Sequence, residues 1–420
     1  MFEHIKYKES KIANGLTILT AENNTIPVAD VQIWTRTGYR YEKPDELGYA
    51  HLLEHMLFNG TRRRPSTYDL RLEIGRRGGH FNAFTSQEAV YYVTEMISQD
   101  TEVACDILSD MLFNSLLEKE SLENEKNIVL QELKELQENH RNYLANFKNK
   151  KIFPNHPLSN GLLDTEQTTI NATSESLKNY LTKNYRPDQS ALIISGDISH
   201  EKAIELAQKY FGKWQNPTEA FNPCLKPVTK AAENYYFEKR DIKQTFLSLN
   251  YYCPNLIDLT DLRKVAALDL LSFYLGNGPT SILFREVREK RGLAYGITAG
   301  TIMRKDAGLF TINTSTQKPE ETVKVIEQVI ANIPNNLTID LFERVREQQL
   351  GKFIIYYVKP NNQSNLLGDS FISYGKLITP DEWIGYIKSA KREDSIAFAN
   401  KYLKPDNSVL VAFGPHNIGR

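Results

Sequence analysis

The chain reads twice along its length at one fixed spacing. The run YRPDQSALIISG (185–196) lies against KPDNSVLVAFG (404–414), so that Pro187 and Pro405, like Gly196 and Gly414, are 218 residues apart. The same spacing recurs far upstream. AHLLEHMLFNG (50–60) lies against LDLLSFYLGNG (268–278), matching Leu52 with Leu270, Leu53 with Leu271, Asn59 with Asn277 and Gly60 with Gly278. A constant offset at two distant places implies two homologous halves. Two copies over the whole length describe a duplicated domain, since a solenoid needs more and shorter repeats.

Each copy reads as α/β. In the first, 15–20, 28–34, 91–96 and 191–196 are β-rich and bounded by turn residues, while 48–59, 100–117, 119–150 and 200–211 carry helical apolar stripes. Residues 216–232 hold three prolines and little periodicity, which makes them the linker. The expected layout is domain 1–215, linker 216–232 and domain 233–420. A length of 420 residues allows two to three domains, and the repeat selects two.

Composition excludes several classes. With Lys+Arg 51 against Asp+Glu 52, the chain offers no global attraction for nucleic acid or an acidic membrane. Apolar residues at 41% and charged residues at 25% argue against disorder and against a coiled-coil rod. Cys105, Cys224 and Cys253 are scattered and odd in number, which fits a reducing compartment rather than a disulfide framework. No apolar run reaches the 18 or so residues of a membrane span, and MFEHIKYKESKIANG has no signal or transit pattern. The expectation is a soluble, cytoplasmic protein.

The chemistry concentrates at His51, Glu54 and His55. On a helix, positions i and i+4 share one face, so both imidazoles can meet one ion, with Glu54 on nearly the same face. Two neutral imidazoles suit zinc, and a nearby carboxylate suits a proton acceptor for metal-activated water. The plain alternative is a helix face with incidental polar groups. The flanking Leu52, Leu53, Met56, Leu57 and Phe58 weigh against it, because polar groups in an apolar helix are costly to bury without partners. At offset 218 these three positions are Asp269, Ser272 and Phe273, so any metal function is confined to the first copy.

H-x-x-E-H is the inverzincin order. The stretch GYAHLLEHMLFNGT (48–61) closely resembles the zinc-site helix of the pitrilysin/insulin-degrading-enzyme/mitochondrial-processing-peptidase family. The resemblance implies a third ligand, Glu132, 77 residues after His55, and a carboxylate orienting a ligand histidine, Glu125, seven residues before Glu132. Helical periodicity alone does not choose Glu132 among the neighbouring glutamates. GGHFNAFTS (78–86) resembles the family's edge strand, where extended substrate adds as a β-strand. That assigns Asn82, Ala83 and Phe84 to substrate backbone. His80 lies outside the family pattern and reads as a surface residue. In the second copy, GNGPTS (276–281) followed by Arg288 and Tyr295 resembles the family's glycine-rich loop and substrate-contacting Arg/Tyr pair. By itself GNGPTS is a poor phosphate loop, lacking Gly-Lys-Ser/Thr.

The resemblance implies tandem sheet-plus-helices domains forming a half-clamshell, one Zn2+ per chain, and a zinc endopeptidase working on peptides or unfolded segments inside a dimeric chamber. A homodimer is expected, with a heterodimer containing a metal-less homologue as the other arrangement. The rival reading is a non-catalytic or partner-dependent subunit.

Overall fold

The computed structural model describes Phe2 and residues 4–419. The first sheet comprises β1 (Lys6–Lys11), β2 (Thr17–Glu22), β3 (Val28–Thr35), β4 (His80–Thr85), β5 (Val90–Ile97) and β6 (Ser190–Gly196), in the order β1-β2-β6-β3-β5-β4. The second comprises β7 (Tyr235–Lys239), β8 (Thr245–Tyr252), β9 (Ala294–Met303), β10 (Gly308–Thr316) and β11 (Ser408–Gly414), in the order β7-β11-β8-β10-β9. Without β1 the two orders are the same. Strand directions agree too: β2–β6 and β7–β11 are parallel, and the remaining matched neighbours are antiparallel. The fold is thus mixed α/β, with two equivalent sheets, each with its own helices and core.

The matched residues have physical reasons. β6 and β11 are buried at every position and therefore read as continuous apolar runs. Each ends on a glycine at positive φ, 124° at Gly196 and 149° at Gly414. A Cβ at Gly196 would lie 2.0 Å from the Val28 carbonyl oxygen, and one at Gly414 would lie 2.5 Å from Thr245 Cα. Only glycine closes these turns. Leu52, Leu53, Leu270 and Leu271 are fully buried, in the first core with Val31, Val90 and Leu192 or in the second with Leu249, Phe310 and Leu410.

Helices in the first copy include α1 (Tyr49–Leu57), α2 (Thr67–Gly75), α3 (Thr101–Asn114), α4 (Lys119–Glu138) and α5 (His140–Ile152). The helix expected over 119–150 is therefore two. Asn139 leaves helical geometry (φ −72°, ψ 105°), and its side-chain oxygen accepts from the Arg141 and Asn142 N–H groups, capping α5. Asparagine favours such local bonds over a helix interior.

That break has a large consequence. α5 packs on β8 and β11 of the second sheet. Its counterpart 218 residues on, Pro360–Tyr374, packs on β2, β3 and β6 of the first sheet. The compact units consequently exchange segments relative to the expected linear halves. One unit is Met1–Leu136, Asn160–Cys224 and Tyr356–Asp381; the other is Gln137–Ser159, Leu225–Ile355 and Glu382–Arg420. Among the described residues, no helix is long and apolar enough to cross a membrane.

Candidate active site

α1 begins at Gly48 in left-handed geometry (φ 87°) and buries His51 with Leu52, Leu53, Met56 and Leu57. The i, i+4 spacing brings the His51 and His55 rings to 4.7 Å between centroids. α4 supplies the opposing carboxylates. Glu125 and Glu132, seven residues and two turns apart, share the face of α4 near buried Leu122, Val129 and Leu133.

Glu132 Oε2 lies 3.6 Å from His51 Nε2 and 3.6 Å from His55 Nε2. Donors around a tetrahedral zinc at about 2.0–2.1 Å lie about 3.3 Å from one another, so this spacing and the N, N, O donor set fit zinc. Among the described residues, His51, His55 and Glu132 form the one group of three or more such donors close enough to share an ion. Three such donors would leave a fourth position of a tetrahedral ion to water or substrate, the pattern of a catalytic rather than a structural site.

The supporting contacts are directional. Glu125 Oε2 is 3.0 Å from His55 Nδ1, which leaves Nε2 facing Glu132. Asn59, one turn after His55, donates from Nδ2 to Glu125 Oε1 (2.9 Å) and to the His55 carbonyl (3.1 Å). Thr85, at the end of β4, donates its hydroxyl to Glu54 Oε2. Asn59 and Thr85 stand inside the quoted motifs, yet sequence reasoning gave neither a role. The available signal for Asn59 was its position four residues after His55. His51 Nδ1 is buried and has no hydrogen-bond partner among the described residues.

The electrostatics split the histidines. Burial, together with the neighbouring His55 charge, pushes His51 down to about 4. Burial opposes the charged form of His55 as well, but its bonds to Glu125 and Glu132 outweigh it and raise His55 to about 9. Bonding to His55 holds both Glu125 and Glu132 below the usual carboxylate range. Burial raises Glu54, partly offset by the Thr85 hydroxyl.

Asn82, Ala83 and Phe84 lie in β4, which pairs with β5 on one side and is the last strand of its sheet on the other. Phe84 is exposed and stacks on Tyr91 (centroids 5.0 Å), which stacks in turn on Trp34 (4.0 Å). Asn82 Oδ1 accepts from the Ala83 N–H at 2.9 Å. His80 is exposed at the start of the same strand and takes no part in the donor cluster.

Arg288 and Tyr295 belong to the second unit. Arg288 sits on a π-helical turn, Phe284–Glu289, a rare geometry that recurs at functional sites. Its guanidinium lies between two rings, 4.8 Å from Phe284 and 4.4 Å from Tyr295. Tyr295, near the start of β9, is 78% exposed.

Comparisons with known proteins agree over both copies. Residues 17–166 match the model described as Insulinase (Peptidase family M16), and 171–349 match the one described as Peptidase M16 inactive domain. An uncharacterized zinc protease of Rickettsia felis is 29% identical over 97% of this chain and 98% of its own length. The mitochondrial-processing peptidase subunit beta of Saccharomyces cerevisiae is 25% identical over 97% of this chain and 91% of its own. A protease from Helicobacter pylori superposes with a TM-score of 0.88 at 21% identity, over 97% of this chain and 99% of its own, which speaks for the fold alone. Matched in both copies, and similar along nearly its whole length to proteins named zinc proteases, the chain belongs to the insulinase family, peptidase family M16.

Proposed function

We propose that the protein is a zinc metalloendopeptidase that hydrolyses peptides or unfolded segments bound in extended form. The observation carrying this reading is the donor triad of His51, His55 and Glu132, with Glu54 on the same helix and a free sheet edge alongside. His51, His55 and Glu132 hold one Zn2+. When bound, the ion acts as a Lewis acid and lowers the pKa of water at its open position. Glu54, aligned by Thr85, accepts the proton of the attacking water and delivers it to the departing amine nitrogen. Glu125 keeps the His55 ring turned towards the ion.

The outer edge of β4 offers backbone groups at Asn82, Ala83 and Phe84 for strand addition, which holds substrate without demanding one sequence. Arg288, pinned between Phe284 and Tyr295, binds a substrate carbonyl, and Tyr295 donates to the oxyanion that develops at the scissile bond. The chain works as a homodimer enclosing a chamber. Its three free cysteines suit the cytoplasm.

A second reading, a partner-dependent subunit of a heterodimer, is favoured by similarity to a protein named as a processing-peptidase subunit. A peptide-library digest by the purified chain, with oligomeric state measured on the same sample, separates the two. A homodimer giving products that a chelator suppresses supports the first. A chain that is inert alone contradicts it.

A further inference from the structure

The two ligand histidines are supported unequally. His55 has Glu125 on its outer nitrogen at 3.0 Å, whereas His51 Nδ1 is buried with no partner among the described residues. The ring of His51 is therefore placed mainly by its backbone, in the first turn of α1. That turn has no ordinary cap: Gly48 precedes it without a side chain to offer. Glu42 reaches it from outside the helix instead. Its Oε2 accepts from the Gly48 N–H at 2.8 Å and its Oε1 from the Ala50 N–H at 2.7 Å. Both oxygens of one buried carboxylate are thus committed to the helix start, one residue before His51. A negative charge there also favours the positive end of the helix dipole.

The second copy has no need of such a brace, because its helix starts five positions earlier in register and the N–H groups matching Gly48 and Ala50, those of Ala266 and Leu268, lie inside it. Its equivalent helix, Leu262–Gly276, is capped by Asp261, whose partly exposed side chain accepts from the Arg263 N–H at 3.1 Å. The position matching Glu42 is Thr260. Burying a carboxylate is costly, and burial does push Glu42 up to about 7 against its two backbone donors and the Tyr180 hydroxyl. That cost is met where the helix starts later and its first turn holds His51.

We propose that Glu42 is a positioning residue for the metal site: by clamping the Gly48 and Ala50 N–H groups it fixes the first turn of α1 and so aims His51 at the ion. This rests on His51, His55 and Glu132 being the zinc ligands. Glu42→Gln leaves one oxygen for two donors. Glu42→Asp keeps the charge but withdraws the carboxylate by one methylene, and it serves if the Gln variant does not fold. Asp261→Asn alters the cap of the other copy as a control.

The full-length proteins, each loaded with zinc, are titrated with a competing chromogenic chelator. Expected are one zinc per folded chain in every variant, affinity weakened about 10–100-fold in both Glu42 variants, and affinity within about twofold of wild type in Asp261→Asn. Glu42 variants that match wild-type affinity overturn the proposal. So does a lower stoichiometry at unchanged affinity, which marks partial misfolding. Wild-type protein that takes up no zinc overturns the ligand assignment first, and the brace with it.

Discussion

α1 and the Leu262–Gly276 helix hold matching places against equivalent sheets, but they are chemically opposite. Their buried leucines coincide, whereas His51, Glu54 and His55 correspond to Asp269, Ser272 and Phe273, and Glu132 of α4 corresponds to Leu350. Asn59 supports Glu125. Its counterpart Asn277 instead has the Lys352 ammonium 3.3 Å from its side-chain oxygen, and that ammonium also lies 4.4 Å from the Phe273 ring. The second copy thus presents its own side-chain cation to the residues matching His55 and Asn59. The packed framework and the donor set are separable: the fold persists in the second copy without a single one of the three donors, and the donors occur where a full set of partners is present.

The sharpest way to break this contrast is to write the second copy's residue into the first. His55→Phe should weaken zinc binding by about 10²-fold or more and abolish peptide cleavage with it. Phe273→Ala should change neither, as chelator titration and a peptide assay would reveal. The second copy's own contribution is tested at Arg288 and Tyr295. Tyr295→Phe and Arg288→Ala should each lower kcat by about 10–10²-fold with zinc content intact. Loss of zinc in either variant would contradict their assignment to substrate. Glu125→Gln weakens the orientation of His55 without removing a ligand, so a loss of about 10-fold in zinc affinity is expected.

The smallest effect concerns buried polar pairs at matching strand positions, Asp30 and Gln32 in β3 against Ser248 and Asn250 in β8. Burial raises Asp30 to about 6, opposed by bonds from Ser364, Asn361 and Gln32. An unfolded aspartate titrates near 3.9, so between about pH 4 and pH 6 the folded chain binds the extra proton. Wild type therefore loses stability as pH rises through that window, and Asp30→Asn does not. The variant should gain about 2 kcal/mol relative to wild type between pH 4 and pH 8 in urea unfolding. A pH-independent difference would contradict the buried, proton-binding state of Asp30.

Much of this was legible in the sequence because turn glycines and i, i+4 ligands carry local signals. A Cβ would clash with backbone at both Gly196 and Gly414, so the two copies still match there at the 218-residue offset. The exchange of α5 with Pro360–Tyr374 was not legible. α4 and α5 share one continuous helical pattern, and a single capping Asn139 divides them. Periodicity could not select Glu132 either, since several glutamates of α4 fit a solvated face; the family resemblance pointed to it. The reach of Glu42 to Gly48 and Ala50 crosses a loop and leaves no periodic trace. The π-turn under Arg288 and the ring of Phe284 beside it depend on packing within the second unit.

The central claim is that one carboxylate on α1 moves the protons of peptide hydrolysis at a metal held by the first copy alone. Glu54→Gln removes that carboxylate's basicity while leaving His51, His55 and Glu132 in place. The direct measurement is peptide turnover by this variant alongside its bound zinc. Expected are wild-type zinc content and turnover lowered about 10²–10⁴-fold. Undiminished turnover by zinc-loaded Glu54→Gln protein would contradict that claim.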